Sequence, residues 1–157
     1  MANLEIGSDA PNFTLPANGG SDVSLSALSG KYVVLYFYPK DDTPGCTKEA
    51  IGFTEAKSDF DALGAVIVGV SKDTVAKHDK FIAKHELDVV LGSDEDGAMI
   101  ENYGVWVEKN MYGRKYMGIE RATYLIGPDG KILEIWRKVR VKDHVAKVLE
   151  AVKQHAA

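Results

Sequence analysis

The chain of 157 residues carries a single cysteine, Cys46. It sits in the stretch Tyr36-Phe37-Tyr38-Pro39-Lys40-Asp41-Asp42-Thr43-Pro44-Gly45-Cys46-Thr47-Lys48-Glu49-Ala50. A lone free cysteine is most often a small buried hydrophobe. The residues on either side of Cys46 are small or polar, unlike a core segment, and they read as the junction between an apolar strand and a helix. Thr43 suits the N-cap, and Pro44 suits the first helical position, where its missing N–H costs nothing. Cys46 then falls in the first helical turn, where backbone N–H groups lack intrahelical acceptors and the dipole is positive. Such a setting favours the thiolate, the nucleophilic and oxidisable form of cysteine. Strand-to-helix junctions of open α/β sheets are also where ligands bind.

Other chemistry-bearing residues read as structural. His78, His85, His144 and His155 lack metal-ligand spacing and fall on expected surface helices. Asp94-Glu95-Asp96 reads as a turn and helix start, and no glycine-rich piece forms a phosphate loop. Trp106, Met111, Tyr112 and Met117 fall in an irregular stretch, where plain packing is the expected role and an active-site wall or a self-association surface the alternatives.

The elements that must position Cys46 follow from patterning. Residues 17–22 form a turn between two short extended pieces. The β-branched and aromatic run Lys31–Tyr38 and the run Ala65–Val70 read as strands buried on both faces. Pro44–Phe60 is expected as a helix, and Thr74–His85 as an amphipathic helix with Val75, Phe81 and Ile82 inward. Val89–Leu91 reads as a short strand and Gly97–Tyr103 as a short helix. Arg121–Ile126, the turn Gly127-Pro128-Asp129-Gly130 and Lys131–Trp136 then read as an antiparallel hairpin. A final helix is marked by Val145, Val148, Leu149 and Val152, with Asp143 as its cap. The order βαβ then ββα is the thioredoxin-like arrangement, an α/β fold in which helices flank a mixed central sheet, although periodicity alone does not name it and other mixed α/β folds could share the order.

Length and the absence of linkers fit a single domain over residues 1–157. The net charge is −4, and no Lys/Arg stripe or cluster stands out, which argues against nucleic acid as a partner. The longest apolar run is too short to span a bilayer, so no membrane association is expected. The first residues lack the charged and apolar regions of a secretory signal, and one cysteine cannot form an internal disulfide. A cytoplasmic, reducing location is therefore expected.

At Cys46 the chain resembles a known family. Tyr38-Pro39, followed by Thr43-Pro44-Gly45-Cys46-Thr47 and Glu49-Ala50, is similar to the reactive-cysteine motif of peroxiredoxins, specifically the bacterioferritin-comigratory (Q-type) subgroup. The likeness runs along nearly the whole chain: residues 7–16 (Gly-Ser-Asp-Ala-Pro-Asn-Phe-Thr-Leu-Pro) resemble the family's opening. Residues 91–96, 103–106 and 118–126 resemble its later segments.

The resemblance implies a thiol-dependent peroxidase with no haem, flavin or metal, reducing hydrogen peroxide and small organic hydroperoxides. It makes Cys46 the nucleophile, which passes through a sulfenic acid. It gives Thr43 the task of orienting peroxide and thiolate, Pro39 that of shielding the sulfur, and Arg121 that of activating both. Gly45 and Cys46 can add backbone donors. Glu49 by itself reads as a solvated first-turn acid, and beside this motif it could hold the arginine or polarise the pocket. Many members carry a resolving cysteine five residues after the first. Ile51 stands at that position here, so an external thiol (glutathione, thioredoxin or glutaredoxin) is the expected reductant. A monomer or weak homodimer is the expected assembly. A redox-sensing or chaperone-like module with negligible turnover is the rival reading. A disulfide reductase would need Cys-x-x-Cys, where this chain has Cys46-Thr47-Lys48-Glu49.

Overall fold

The structure, a computed structural model, describes residues 4–157. Its core is a five-stranded sheet in the order β5-β4-β3-β8-β9. Strands β3 (Tyr32–Phe37), β4 (Ala65–Ser71) and β5 (Val90–Ser93) run parallel. Strand β8 (Ala122–Ile126) pairs antiparallel to β3, and β9 (Ile132–Trp136) antiparallel to β8, with a register shift at Leu125/Ile126. A two-stranded ribbon, β1 (Thr14–Pro16) and β2 (Asp22–Ser24), packs near β5.

Central strand β3 shows why the sheet must be covered on both sides. Val33, Leu35 and Phe37 enter one core and Val34, Tyr36 and Tyr38 the other, all essentially without exposure. Each fully buried side chain of this size contributes about 1.5–3 kcal/mol. On one side the sheet meets α4 (Ala98–Asn102) and the β1–β2 ribbon, through Met99, Ile100, Leu15 and Val23. On the other lie α1 (Pro44–Glu55), α2 (Lys57–Ala62), α3 (Val75–His85) and α5 (His144–Ala156), through Phe53, Phe60, Phe81, Val148 and Val152. The α/β, thioredoxin-like arrangement expected from element order is the one observed.

The differences from expectation are local. The helix expected over Pro44–Phe60 is broken at Ala56 (φ −91°, ψ 1°) into α1 and α2. The stretch expected to be irregular around Trp106–Met117 is a hairpin, β6 (Trp106–Met111) and β7 (Arg114–Ile119). Its two-residue turn, Tyr112-Gly113, has positive φ at both positions (54° and 80°), the backbone that joins tight hairpins. Arg121 lies just before β8 rather than in it. Asp143 precedes α5 in a left-handed conformation, and its side chain makes no capping bond.

Candidate active site

β3 delivers the chain to the site. Beyond Phe37 it bends at Pro39, which is exposed, and enters α1 at Pro44. Thr43 occupies the N-cap position with extended backbone (φ −96°, ψ 155°), yet its side chain does not cap the helix. Instead the Thr43 hydroxyl donates to the Lys40 carbonyl at 2.8 Å. Its proton is thereby committed, and the lone pairs of Oγ1 are left to accept. The first intrahelical bond runs from the Thr47 N–H to the Thr43 carbonyl at 2.8 Å. The Gly45 and Cys46 N–H groups precede it, have no helical acceptor, and can serve as donors to an incoming anion. Cys46 is a free thiol, only 2% exposed, within the cluster that holds Tyr36, Tyr38, Ala50 and Phe53. Pro39, expected to shield the sulfur, sits at the exposed bend.

Arg121 reaches across from the start of β8. Its Nη2 donates to Cys46 Sγ at 3.3 Å and its Nη1 to Glu49 Oε1 at 2.7 Å. One guanidinium thus bridges a thiol and a carboxylate that lie one turn apart on α1. Glu49, readable from sequence as a solvated first-turn acid, is fully buried. Burial pushes its carboxyl up to about 7 against the pull of Arg121, and Oε2 has no partner among the described residues. Burial also opposes the charge on Arg121, but Glu49 and Cys46 beside it outweigh that and strengthen its hold on its proton. Gly45 is what lets the arginine approach: a Cβ there would stand 3.1 Å from Arg121 Nη2. The structure therefore brings Cys46, Gly45, Glu49 and Arg121 into one cluster, sets Thr43 at the helix start beside it, and leaves Pro39 at the rim. Ile51, further along α1, is half-buried against the same core.

Two of the four histidines expected on the surface are buried, because each finds a partner that lies far off in sequence. His78 of α3 puts Nδ1 2.6 Å from Asp41 Oδ2 and Nε2 3.0 Å from the Gly92 carbonyl. The carbonyl can only accept, so Nε2 is the ring nitrogen that donates to it, and Nδ1 faces the carboxylate. Asp41 also accepts from the Tyr38 hydroxyl, and its N–H donates to Asp73 Oδ2 at 2.8 Å. Asp42, at φ 61°, contacts Lys84 and His85 of α3 at 2.7 and 2.9 Å. The whole loop between β3 and α1 is thus pinned to α3. His144 lies 2.8 Å from Thr123 Oγ1 and edge-on to Phe53 and Trp136. Burial, with Lys147 and Arg121 nearby, pushes it down to about 4, so it is neutral at physiological pH.

Sequence patterning also passed over two features around the site. Lys109 of β6 is half-buried; burial lowers its hold on its proton, and Arg121 lowers it further. Arg137, Lys138, Arg140, Lys142 and Lys147 gather around one groove, which corrects the expectation that no basic cluster is present. They follow one another within eleven positions and could have been read from the sequence. Among the described residues no group of His, Cys, Asp and Glu side chains is placed to hold a metal ion, and no helix is long and apolar enough to cross a membrane.

A thioredoxin-like sheet with a buried cysteine at a free helix start, bridged by arginine to a carboxylate, is an arrangement suited to thiol redox chemistry. Residues 6–135 match the model of the AhpC/TSA family. Peroxiredoxin Bcp of Bacillus subtilis is 49% identical over 150 residues, covering 96% of each chain. Peroxiredoxin Bcp of Escherichia coli is 39% identical over 156 residues, covering 99% of this chain and 100% of that one. A structure of the bacterioferritin comigratory protein of Xanthomonas campestris, solved in connection with alkyl peroxide reduction, superposes with a TM-score of 0.90 at 44% identity over the full length of both. The chain belongs to the AhpC/TSA family, as a peroxiredoxin of the Bcp type, and is a thiol-dependent peroxidase.

Proposed function

We propose that Cys46 is the nucleophile that takes oxygen from hydrogen peroxide and small organic hydroperoxides, alkyl peroxides among them. The observation that carries this reading is the single guanidinium, that of Arg121, held by buried Glu49 at 2.7 Å and donating to Cys46 Sγ at 3.3 Å. A fixed cation there favours the thiolate, the form able to attack. It can also stabilise charge moving onto the peroxide as the O–O bond breaks. In that step the thiolate attacks the terminal oxygen, an S–O bond forms, and hydroxide or alkoxide leaves and takes up a proton. Thr43 Oγ1 accepts from the peroxide O–H, the role left to it by its bond to Lys40, and the Gly45 and Cys46 N–H groups donate to the oxygens. Glu49 is a positioning residue that acts through Arg121.

Recycling rests on the absence of a second cysteine from the sequence. The Cys46 sulfenic acid has no internal thiol to condense with, so a small thiol or a thioredoxin- or glutaredoxin-type protein must reduce it. We take residues 1–157 to act as one domain, as a monomer or weak homodimer, in the reducing cytosol. The test is peroxide consumption measured side by side with glutathione, glutaredoxin and thioredoxin systems. Multiple turnovers with at least one of them are expected, and Cys46→Ser should abolish them all. Oxidation of Cys46 without turnover in any system would support a sensor instead.

A further inference from the structure

The β9–α5 connection concentrates positive charge that the peroxide step does not use. A groove of about 630 Å³ opens there, lined by Trp136, Arg137, Lys138, Arg140, Lys142 and Lys147, with Asp143 the acid of its lining. In a chain of net charge −4, five cations around one groove form a local excess of one sign, which raises the local concentration of anions. Arg137 is answered by Glu120 at 2.6 Å. The side chains of Lys138, Arg140, Lys142 and Lys147 have no ion-pair partner among the described residues.

The groove is joined to the active site. The Val139 N–H donates to the Arg121 carbonyl at 2.9 Å, and Val141 Cγ2 lies 4.0 Å from where a Gly45 Cβ would stand. Lys138 and Asp143 are held in left-handed backbone (φ 48° and 62°), a conformation that persists only where surrounding contacts fix it.

We propose that this groove binds the carboxylates of a small anionic thiol and holds it beside the α1 start for attack on oxidised Cys46. The proposal rests on the external-thiol reading above. Arg140 supplies a planar two-donor fork for a carboxylate, and Lys138 and Lys142 supply point charges. In the first step the thiol sulfur bonds to Cys46 Sγ, the S–O bond breaks, and hydroxide leaves as water with the thiol's proton. In the second step another thiol molecule, giving up its proton to water, attacks the bound thiol's sulfur, the mixed S–S bond breaks, and Cys46 leaves as thiolate, giving the external disulfide. A peroxide has no need of such a groove, since its reacting oxygen must reach the buried Cys46 Sγ itself.

The test forms the Cys46 sulfenic acid with one equivalent of hydrogen peroxide and follows its loss by stopped flow. Glutathione, which carries carboxylates, is compared with neutral 2-mercaptoethanol, and the mixed disulfides are identified by mass. The ratio of the two rates should fall about tenfold in the triple variant Lys138→Gln, Arg140→Gln, Lys142→Gln. It should fall in the same direction for the unmodified protein when salt rises from about 20 to about 500 mM. A ratio that neither the variant nor salt moves, while both thiols still form mixed disulfides, overturns the groove and leaves the external-thiol reading intact. If neither thiol forms a mixed disulfide, both fall. A further arm oxidises the reduced protein with a carboxylate-bearing hydroperoxide and with uncharged tert-butyl hydroperoxide. If the variant moves that ratio and not the thiol ratio, the groove serves the peroxide and the assignment to the thiol is wrong.

Discussion

At the scale of single residues, the site is made by side chains distant in sequence. Arg121 and Glu49 are 72 residues apart and Arg121 and Cys46 75, so only the fold makes them neighbours. The reactive cysteine was legible from its own surroundings, because Pro44 and the polar turn before it mark a helix start. The burial of Glu49 was not, because a first-turn acid looks the same whether it faces water or an arginine. His78 and His144 escaped for the same reason: Asp41 and Thr123, which neutralise their burial, lie 37 and 21 residues off. Thr43 provides a residue-level test. Its hydroxyl makes no capping bond, so Thr43→Val should cost only about 1 kcal/mol, the net worth of the bond to Lys40. The rate of Cys46 oxidation should nonetheless fall on the order of 10²-fold, as for loss of a preorganised hydrogen-bonding group. Urea denaturation and stopped-flow oxidation of the same variant separate the two effects, and a normal rate would remove Thr43 from the chemistry.

At the scale of elements, α1 is positioned by close approaches at two glycines. A Cβ on Gly45 would meet Arg121 Nη2 at 3.1 Å, and one on Gly52 would meet Val145 Cγ2 of α5 at 3.0 Å. The two sites should respond differently. Gly45→Ala should change stability by at most about 1 kcal/mol, because the helix propensity gained by alanine is set against the shift it forces on Arg121. It should slow peroxide oxidation, because the arginine must shift away from the sulfur. Gly52→Ala should cost about 1–3 kcal/mol through overpacking against α5, and oxidation should be less affected. Thermal unfolding and oxidation rates for the pair check this, and equal rate losses in both would argue against a specific role for the Gly45 approach. Strands β3 and β4 were legible as elements because continuous apolar runs can only be buried. The β6–β7 hairpin was not. Its residues are mostly half-buried or exposed, with Met111, Tyr112, Tyr116 and Met117 all in solvent, and its turn places tyrosine where asparagine or aspartate is the usual signal.

At the scale of the whole molecule, two buried titrating groups set opposing pH slopes on stability. His144 drops from 6.5 to about 4 on folding, so between those values the unfolded chain binds more protons and stability rises with pH. Glu49 rises from 4.5 to about 7, so across that window the folded chain binds more protons and stability falls with pH. Glu49→Gln should therefore make stability climb more steeply between about pH 4.5 and 6.5, while replacing His144 by glutamine should make it decline. Urea midpoints measured across that range test the signs. Such coupling matters to function because Arg121 sits beside both groups and joins the fold to the sulfur. The most direct measurement is single-turnover oxidation of Cys46 by peroxide, followed by stopped flow and mass, in the unmodified protein and in Arg121→Lys. A lysine cannot make two directed bonds at once, to Glu49 and to the sulfur. The unmodified protein should gain the mass of one oxygen atom at Cys46, and the folded lysine variant should do so on the order of 10²-fold more slowly. A lysine variant that oxidises at the unmodified rate would contradict the account.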